Sequence, residues 1–146
     1  MRVVAVSKST VKVQKKVNQE QGRLLENIGL EGDAHADGSH RQLSLLALES
    51  IQYMQKQGAL VRPGDFAENI TTEGISLHTL PLGTHLKIGE SIELEVTQIG
   101  KECHSGCAIA KQVGSCIMPK QGIFCRILRG GLVKPGDPIE ICHKTS

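Results

Sequence analysis

The segment "THLKIGESIELEVTQIG" (residues 84–100) determines the fold class, because apolar and polar residues alternate regularly along it. Ile92, Leu94 and Val96 fall on one face, and the polar residues between them fall on the other. A period of two is typical of a β-strand that buries one face. This part of the chain is therefore predicted to be rich in strands.

Further short apolar runs lie on both sides of this segment. The runs predicted to form strands are "RVVAVS" (2–7), "RQLSLLA" (41–47), "ENITT" (68–72), "GIFCRILRGG" (122–131) and "LVKPGDPIEICH" (132–143). The alternating "TVKVQKKV" (10–17) is predicted to form either a second strand or an exposed edge. Pro-Gly-Asp occurs at 63–65 and again at 135–137, and we interpret both copies as turns that lead into strands.

Helical signals are few. "LESIQYMQKQG" (48–58) predicts one helix, because Leu48, Ile51 and Met54 form a stripe and Gly58 suits a C-terminal cap. "GRLLENIGLEGDAHADGSH" (22–40) is rich in Gly, Asp and His and is predicted to be largely loop. The sequence therefore predicts a mostly β, barrel-like α+β fold with one or two short helices, in a single domain over residues 1–146.

Composition excludes several classes of function. Charged residues make up 22% and hydrophobic residues 39% of the 146 residues, the balance of a globular domain. A net charge of +2 and three aromatic residues argue against a nucleic-acid partner. The N-terminus lacks a signal-peptide pattern and no segment is apolar enough for a membrane span, so we expect a cytoplasmic protein without a membrane partner. Five cysteines cannot all pair within one chain, which favours packing, metal or catalytic roles.

The segment "GKECHSGCAI" (100–109) holds the candidate reactive cysteines, Cys103 and Cys107. Lys101 and His104 lie beside them, and positive charge near a thiol lowers its pKa and raises the thiolate fraction. Cys103, His104, Cys107 and Cys116 are also a possible zinc set, although structural zinc sites usually show two paired clips. A dithiol redox pair, a haem site and two buried thiols without chemistry are further interpretations of this segment.

The chain resembles a MOSC domain, the module named for the C-terminal part of molybdenum cofactor sulfurases. Four segments carry the resemblance in the family's order, and it extends from about residue 2 to residue 142. They are "EGDAHADGSHRQLSLLALESI", "PGDFAENITTEGISLHTLPLGTHLKIG", "LEVTQIGKECHSGCAI" and "GSCIMPKQGIFCRILRGGLVKPGDPIEI". The small stand-alone bacterial form of the family is the most similar.

The resemblance implies a role in molybdenum cofactor (molybdopterin) chemistry. Cys107, followed by "AIA", matches the family's reactive or metal-ligating cysteine, and Cys103 is the second choice. Thiolate is a soft ligand that suits molybdenum. Partners implied by the resemblance are the pterin cofactor or a sulfur-donor protein and the enzymes of cofactor biosynthesis; pyridoxal phosphate is not expected.

Cofactor-binding positions also carry over from the family. Asn69 in "FAENI", Ser105 before Cys107 and Arg41 in "HRQLSLL" correspond to residues that hold the pterin or its phosphate, and His40 lies beside Arg41. Asp33, His35 and His40 belong to the same Gly-rich segment and are expected to line the pocket, to bind a metal or to face water. Cys116 is a possible resolving thiol, and Cys125 and Cys142 are expected to be structural.

Two departures from the family pattern concern charge. Cofactor-binding relatives carry Arg soon after the Phe and immediately before the reactive Cys, whereas this chain has Ala67, Glu68 and Gly106 there. Glu68 would repel a phosphate unless it faced away. The sequence thus predicts a molybdenum-cofactor-associated protein that binds the pterin or carries sulfur on Cys107. The alternatives are a non-enzymatic cofactor carrier or docking module and a zinc-stabilised structural domain.

Overall fold

The computed structural model describes residues 1–9, 16–33, 36, 42–66, 68–100 and 122–142. Strands dominate these ranges, as the alternating segments predict. The elements in chain order are β1 (Arg2–Lys8), β2 (Val17–Gln19), β3 (Gly22–Leu25), β4 (Gly29–Leu30), β5 (Leu43–Ala47), α1 (Leu48–Lys56), β6 (Ile70–Glu73), a 3-10 turn (Leu77–Thr79), β7 (His85–Ile88), β8 (Ile92–Ile99), β9 (Ile123–Arg129), β10 (Gly131–Val133) and β11 (Ile139–Cys142).

The strands form two sheets. The main sheet has eight strands in the order β11-β7-β8-β9-β5-β6-β1-β2, and the small sheet has the order β10-β3-β4. The pairs are antiparallel except β5 with β6, whose strands are parallel and are connected through α1. A parallel pair needs a long crossover, usually a helix, which explains why the helix lies at this point in the chain.

The main sheet curls without closing into a barrel. Its edges are β11 and β2, and the segment before β11 approaches β1 through a single bridge between Arg2 and Pro138. Val3 N donates to Asp137 O at 2.8 Å, and Gly136 N donates to Val3 O at 2.7 Å. The mostly β prediction is confirmed, but the described strands form an open sheet and not a closed barrel.

A large apolar core lies between the two sheets. Ile92, Leu94 and Val96 are buried there as the alternation predicts, together with Leu24 and Leu30 of the small sheet. A second cluster packs α1 against β5 and includes Ile51, Met54, Phe66 and Phe124. Gly58 follows α1 with φ +97°, which confirms the predicted C-terminal cap.

Of the other predictions of secondary structure, most of those for strands are confirmed and the one for a loop is partly wrong. The segments predicted as strands around 2–7, 41–47, 68–72 and 122–143 all contain strands. The prediction that 22–40 is largely loop is wrong for β3 and β4, which pair as a hairpin with Leu24 opposite Leu30. Asn27 has φ 58° in the connecting turn, a conformation that Asn tolerates better than most residues. Of the predicted 10–17 strand, residues 10–15 lie outside the described residues and Val17 begins β2.

The two Pro-Gly-Asp segments form matching turns. Asp65 Oδ2 accepts a hydrogen bond from Arg62 N at 3.2 Å, and Asp137 Oδ2 accepts one from Lys134 N at 3.0 Å. The central glycine has φ +97° in both turns. The prediction of repeated turns is thus confirmed. Of the helices that the structure describes, none is long and apolar enough to cross a membrane.

Candidate functional site

Asn69 is the one predicted cofactor-binding residue among those the structure describes, and it lies immediately before β6. Its side chain is buried, with 1% of the residue exposed. Oδ1 accepts hydrogen bonds from Ser44 N at 3.1 Å and from Ser44 Oγ at 3.2 Å. In return, Asn69 N donates to Ser44 Oγ at 3.0 Å and to Ser44 O at 2.9 Å. The amide therefore ties the start of β6 to β5.

Ser7 extends this connection to β1 and β2. Asn69 Nδ2 donates to Ser7 O at 3.2 Å, and Ser7 N donates to Asn69 O at 2.7 Å. Ser7 Oγ donates to Asn18 Oδ1 at 2.7 Å on β2. We refer to Ser7, Asn18, Ser44 and Asn69 as the polar cluster. It joins four strands at the end of the sheet where β1 finishes and β5 and β6 begin.

Glu68 faces the protein interior. It is fully buried and accepts hydrogen bonds from Gly64 N at 3.0 Å, Phe66 N at 3.2 Å and Thr71 Oγ1 at 2.8 Å. Desolvation raises the pKa of this carboxyl above its ordinary value, although the three donors act in the opposite direction. Glu68 thus stabilises the 62–66 turn, and the repulsion of phosphate considered from the sequence does not arise from this geometry.

Lys16 and Asp33 form an ion pair next to this turn. Lys16 Nζ lies 2.7 Å from Asp33 Oδ1, and both side chains have 0% exposure. Asp33 Oδ1 also accepts a hydrogen bond from Ser9 N at 3.0 Å, and Lys16 N donates to Gly64 O at 2.9 Å. Asp33 therefore faces a buried cation, not an open pocket or water.

A groove of about 310 Å³ opens beside the ion pair. Its lining comes from the start of β2 and from the 62–65 turn: Lys16, Val17, Asn18, Arg62, Pro63 and Asp65. The lining includes both a cation, Arg62, and a carboxylate, Asp65. Asn18 belongs both to this groove and to the polar cluster.

The remaining predicted site residues lie outside the described residues. They are Lys101, Cys103, His104, Ser105, Cys107, His40 and Arg41, together with His35 and Cys116. Their catalytic, metal-binding and cofactor-binding roles stay predictions. Ala67 and Gly106, two positions at which the chain departs from the family pattern, also lie outside the described residues. Gln42, which follows Arg41 directly, is buried and its Oε1 accepts a hydrogen bond from Ile127 N at 3.0 Å.

The described residues on either side of segment 101–121 are hydrogen-bonded to each other, Gly100 N donating to Gly122 O at 2.6 Å. These residues adjoin β8 and β9. In the register of the main sheet Phe124 of β9 lies opposite Ser44, and Asn69 lies on the other side of Ser44. Because neighbouring strands are about 4.8 Å apart, the Cα atoms of Asn69 and Phe124 are separated by about 10 Å. The cysteine segment is therefore attached to the sheet two residues beyond the row that contains Asn69.

Two cysteines lie in described strands. Cys125 is fully buried in β9, and burial raises the pKa of its thiol far above the ordinary value, with a smaller contribution from Glu95. Such a thiol stays protonated and unreactive. Cys142 is half-buried at the end of β11. Both cysteines lie in strands as the sequence predicts, and a purely structural role for Cys142 stays a prediction.

Metal ligation was predicted at Cys107, with a four-ligand zinc set as an alternative, and all of these residues lie outside the described ranges. In the ranges that the structure describes, no group of three His, Cys, Asp or Glu side chains is arranged to hold a metal ion.

Sequence reasoning missed several members of the polar network. Ser7, Ser44 and Thr71 lie within strand runs and carry no motif, so nothing in their local sequence distinguishes them from ordinary strand residues. Lys16 is the end of a basic run and would be expected at the surface. Asp33 lies in the Gly-rich segment predicted to be loop, so its local sequence carried no signal of burial beside a cation.

Known structures with the same fold were found at low sequence identity. The YuaD protein from Bacillus subtilis superposes with a TM-score of 0.80 at 18% identity, covering 96% of this chain and 94% of YuaD. YiiM from Escherichia coli has a TM-score of 0.68 at 21% identity, covering 100% of this chain and 72% of YiiM. YiiM from Geobacillus stearothermophilus has a TM-score of 0.64 at 19% identity, covering 97% of this chain and 73% of that protein. These similarities show the fold.

A comparison with curated proteins gave no significant match. The family model described as "MOSC domain" matches residues 32–140, which is well over half of the chain. The matched region includes Asp33, the polar-cluster residues Ser44 and Asn69, and the whole segment 101–121. This chain therefore belongs to the MOSC domain family.

Proposed function

We propose that this protein carries sulfur on Cys107 within molybdenum cofactor metabolism. Membership of the MOSC family supports the pathway, because the family is named for the C-terminal part of molybdenum cofactor sulfurases. We choose segment 101–121 because of where it joins the main sheet. The residues that flank it, Gly100 and Gly122, are hydrogen-bonded to each other. Gly122 lies two residues before Phe124, which is in the same row of the sheet as Ser44 and Asn69. A functional segment at this point starts from a rigid sheet.

The distribution of cysteines supports the same segment. Cys125 is excluded as a carrier by its burial and raised pKa, because a carrier must be a thiolate that a donor can reach. Cys103, Cys107 and Cys116 all lie within 101–121. Cys107 is preferred because it matches the family's cysteine followed by a small apolar stretch. Lys101 and His104 are proposed to favour its thiolate.

The proposed reaction is a sulfur transfer without net oxidation. The Cys107 thiolate attacks the outer sulfur of a donor persulfide, R–S–SH. A new S–S bond forms at Cys107 while the donor's S–S bond breaks. Cys107 becomes a persulfide, Cys107–S–SH, and the donor leaves as the thiolate R–S⁻, so that atoms and electrons balance.

The described residues do not by themselves fit the anionic molybdenum cofactor. Lys16, the buried cation nearest the polar cluster, is neutralised by Asp33, and the Asn69 amide is engaged by Ser44 and Ser7. Oδ1 uses two acceptor directions and Nδ2 one of its two hydrogens on described residues. Contacts from Arg41, His40 and Ser105 stay a prediction, and no step of the proposed transfer passes through the cofactor.

A sulfur-loading experiment tests the proposal. The purified protein is treated with a low-molecular-weight persulfide, and the adduct is located by intact mass and peptide mass spectrometry. Cys107→Ser is expected to lose the added sulfur, whereas the matched control Cys142→Ser, altered in a described strand, is expected to keep it. Cys103→Ser distinguishes the second-choice cysteine.

Equal loading of Cys107→Ser and wild type would refute the assignment to Cys107. Loss of loading in Cys103→Ser with full loading in Cys107→Ser would move the carrier to Cys103. Stoichiometric molybdenum and pterin in protein purified from cells that make the cofactor, with no sulfur uptake, would favour the non-enzymatic carrier instead.

A further inference from the structure

A second groove, separate from the polar cluster, opens where the main sheet and the small sheet part. It has a volume of about 230 Å³. Its lining comes from the β1–β2 edge, from β3 and the following hairpin, and from β10: Lys8, Gln19, Gln21, Gly22, Arg23, Leu30, Glu31 and Leu132. We refer to it as the inter-sheet groove. Its walls combine cations and amides with two leucines, of which Leu132 is exposed.

Lys8 is the cation of this groove with the least internal compensation. In the described ranges it has no carboxylate within ion-pair distance, whereas Lys16, on the other side of the 10–15 segment, is fully paired. The Nζ atom of Lys8 lies against Gly32, since a Cβ atom built on that glycine would be 3.1 Å from it. Gly32 has φ +83°, so glycine both permits the turn and leaves room for the ammonium group.

Arg23 supplies a second cation. Its Nε lies 3.8 Å from Glu31 Oε2, and both side chains are more than half exposed, at 57% and 61%. An ion pair of this length and exposure contributes little, so the guanidinium can turn towards another anion. Two cations against one carboxylate leave the groove with a net positive charge.

Gly22 shapes the floor between these cations. A Cβ atom there would be 2.6 Å from Leu30 Cδ1 and 3.0 Å from Val6 Cγ1. The glycine lets β3 pack directly on these core side chains, and Gly22 itself lines the groove. Leu132, opposite Arg23 in the β3–β10 register, forms an apolar rim that is 52% exposed.

From these features we propose that the inter-sheet groove binds a small organic anion, with a carboxylate or phosphate between Lys8 and Arg23 and an apolar portion on Leu132. Arg provides a planar pair of donors and Lys a compact charge, a combination that suits oxyanions. Gln19 Nε2 already donates to Val17 O at 3.0 Å, so Gln21 is the amide better placed to contact the ligand. The site is independent of the proposed sulfur chemistry.

Titrations of the whole protein at low ionic strength test this proposal. Inorganic phosphate and succinate are added separately, and backbone amide chemical shifts are followed by NMR. Saturable shifts at Gln21, Arg23 and Glu31 are expected with at least one of the two probes, and the probe that binds identifies phosphate or carboxylate as the preferred group. Lys8→Gln and Arg23→Gln are each expected to weaken binding about tenfold, because each removes a charge-assisted hydrogen bond.

Lys56→Gln is the matched control, since it removes one exposed lysine at the end of α1 and is expected to leave the affinity unchanged. The absence of saturable shifts with both probes would overturn the proposal. Equal weakening by Lys56→Gln and Lys8→Gln would also overturn it, because the effect would then reflect net charge rather than this groove.

Discussion

Glu68 and Thr72 are buried polar residues close together in sequence, and they differ in whether the side chain is hydrogen-bonded. Glu68 receives three hydrogen bonds around the 62–66 turn. Thr72 is fully buried in β6, and its Oγ1 has no hydrogen-bond partner within the described part of the chain. The carboxyl of Glu68 therefore stabilises a turn, whereas the buried hydroxyl of Thr72 has no hydrogen bond to offset the cost of its desolvation.

We expect Thr72→Val to stabilise the protein by about 1 kcal/mol, because it removes a buried hydroxyl that makes no hydrogen bond. Thr71→Val is the matched control on the same strand: it removes the hydroxyl that donates to Glu68 at 2.8 Å and should lower the free energy of unfolding by about 1 to 3 kcal/mol. Urea unfolding measures both. A loss of stability in Thr72→Val would show that this hydroxyl has a partner.

The raised pKa of Glu68 predicts a pH dependence of stability. Because the folded protein holds this proton more tightly than the unfolded chain, the contribution is fully present below the ordinary Glu pKa of about 4.3 and is lost as the pH rises through the raised value. The unfolding free energy of wild type minus that of Glu68→Gln should therefore fall as the pH rises from about 4. Urea titrations at several pH values test the sign, and a difference that increased with pH would contradict it.

At the scale of elements, the two Pro-Gly-Asp turns have the same local structure but different surroundings. Both turns have the same Asp-to-backbone hydrogen bond and the same glycine φ. Their surroundings differ: a Cβ atom on Gly64 would be 2.5 Å from Lys16 O, while a Cβ atom on Gly136 would meet nothing within 4 Å. The first turn packs against Lys16, immediately before β2, and the second is open.

Replacing each of these glycines with alanine separates backbone strain from packing. Gly136→Ala should cost about 1 to 2 kcal/mol, the strain of a left-handed residue with a Cβ atom. Gly64→Ala carries the same strain and in addition must displace the Lys16 backbone, so its cost should exceed that of Gly136→Ala by about 1 to 3 kcal/mol. Thermal and urea unfolding compare the two variants. Equal losses would mean that the 62–66 turn does not press on Lys16.

At the scale of the whole molecule, the Lys16–Asp33 pair connects segments that the strand pattern leaves unrelated. Lys16 begins the return towards β2, and Asp33 follows the β3–β4 hairpin of the small sheet. The pair thus fixes the small sheet against the end of the main sheet that carries the polar cluster. An ion pair without solvent contact tends to fix an arrangement more than it adds stability.

Removal of one partner should lower the free energy of unfolding more than removal of both. Lys16→Met or Asp33→Leu alone is expected to cost about 3 to 5 kcal/mol, because each removes the ion-pair partner of a charge that stays buried. The double variant should lose less than either single variant. A double-mutant cycle from urea unfolding measures the coupling, and simple additivity of the two losses would show that the charges do not depend on each other.

The sequence by itself determined the strand-rich class, the helix at 48–58, the two Pro-Gly-Asp turns and the MOSC resemblance. These follow from local periodicity, turn chemistry and motif order, which a short segment contains in full. It did not predict β3 and β4, because two- to four-residue strands in a Gly-rich hairpin depend on packing of Leu24 and Leu30 against the main sheet.

Only the tertiary structure decided what the polar residues face. Asn69 meets Ser44 and Ser7, Glu68 turns towards three donors, and Lys16 is neutralised by Asp33, although these partners are up to 62 residues apart in sequence. Hydrogen bonds and charge pairs act over a few ångströms, so the role of each side chain depends on which strands pair and in which register. That arrangement results from burial of the whole core and is not encoded in any one segment.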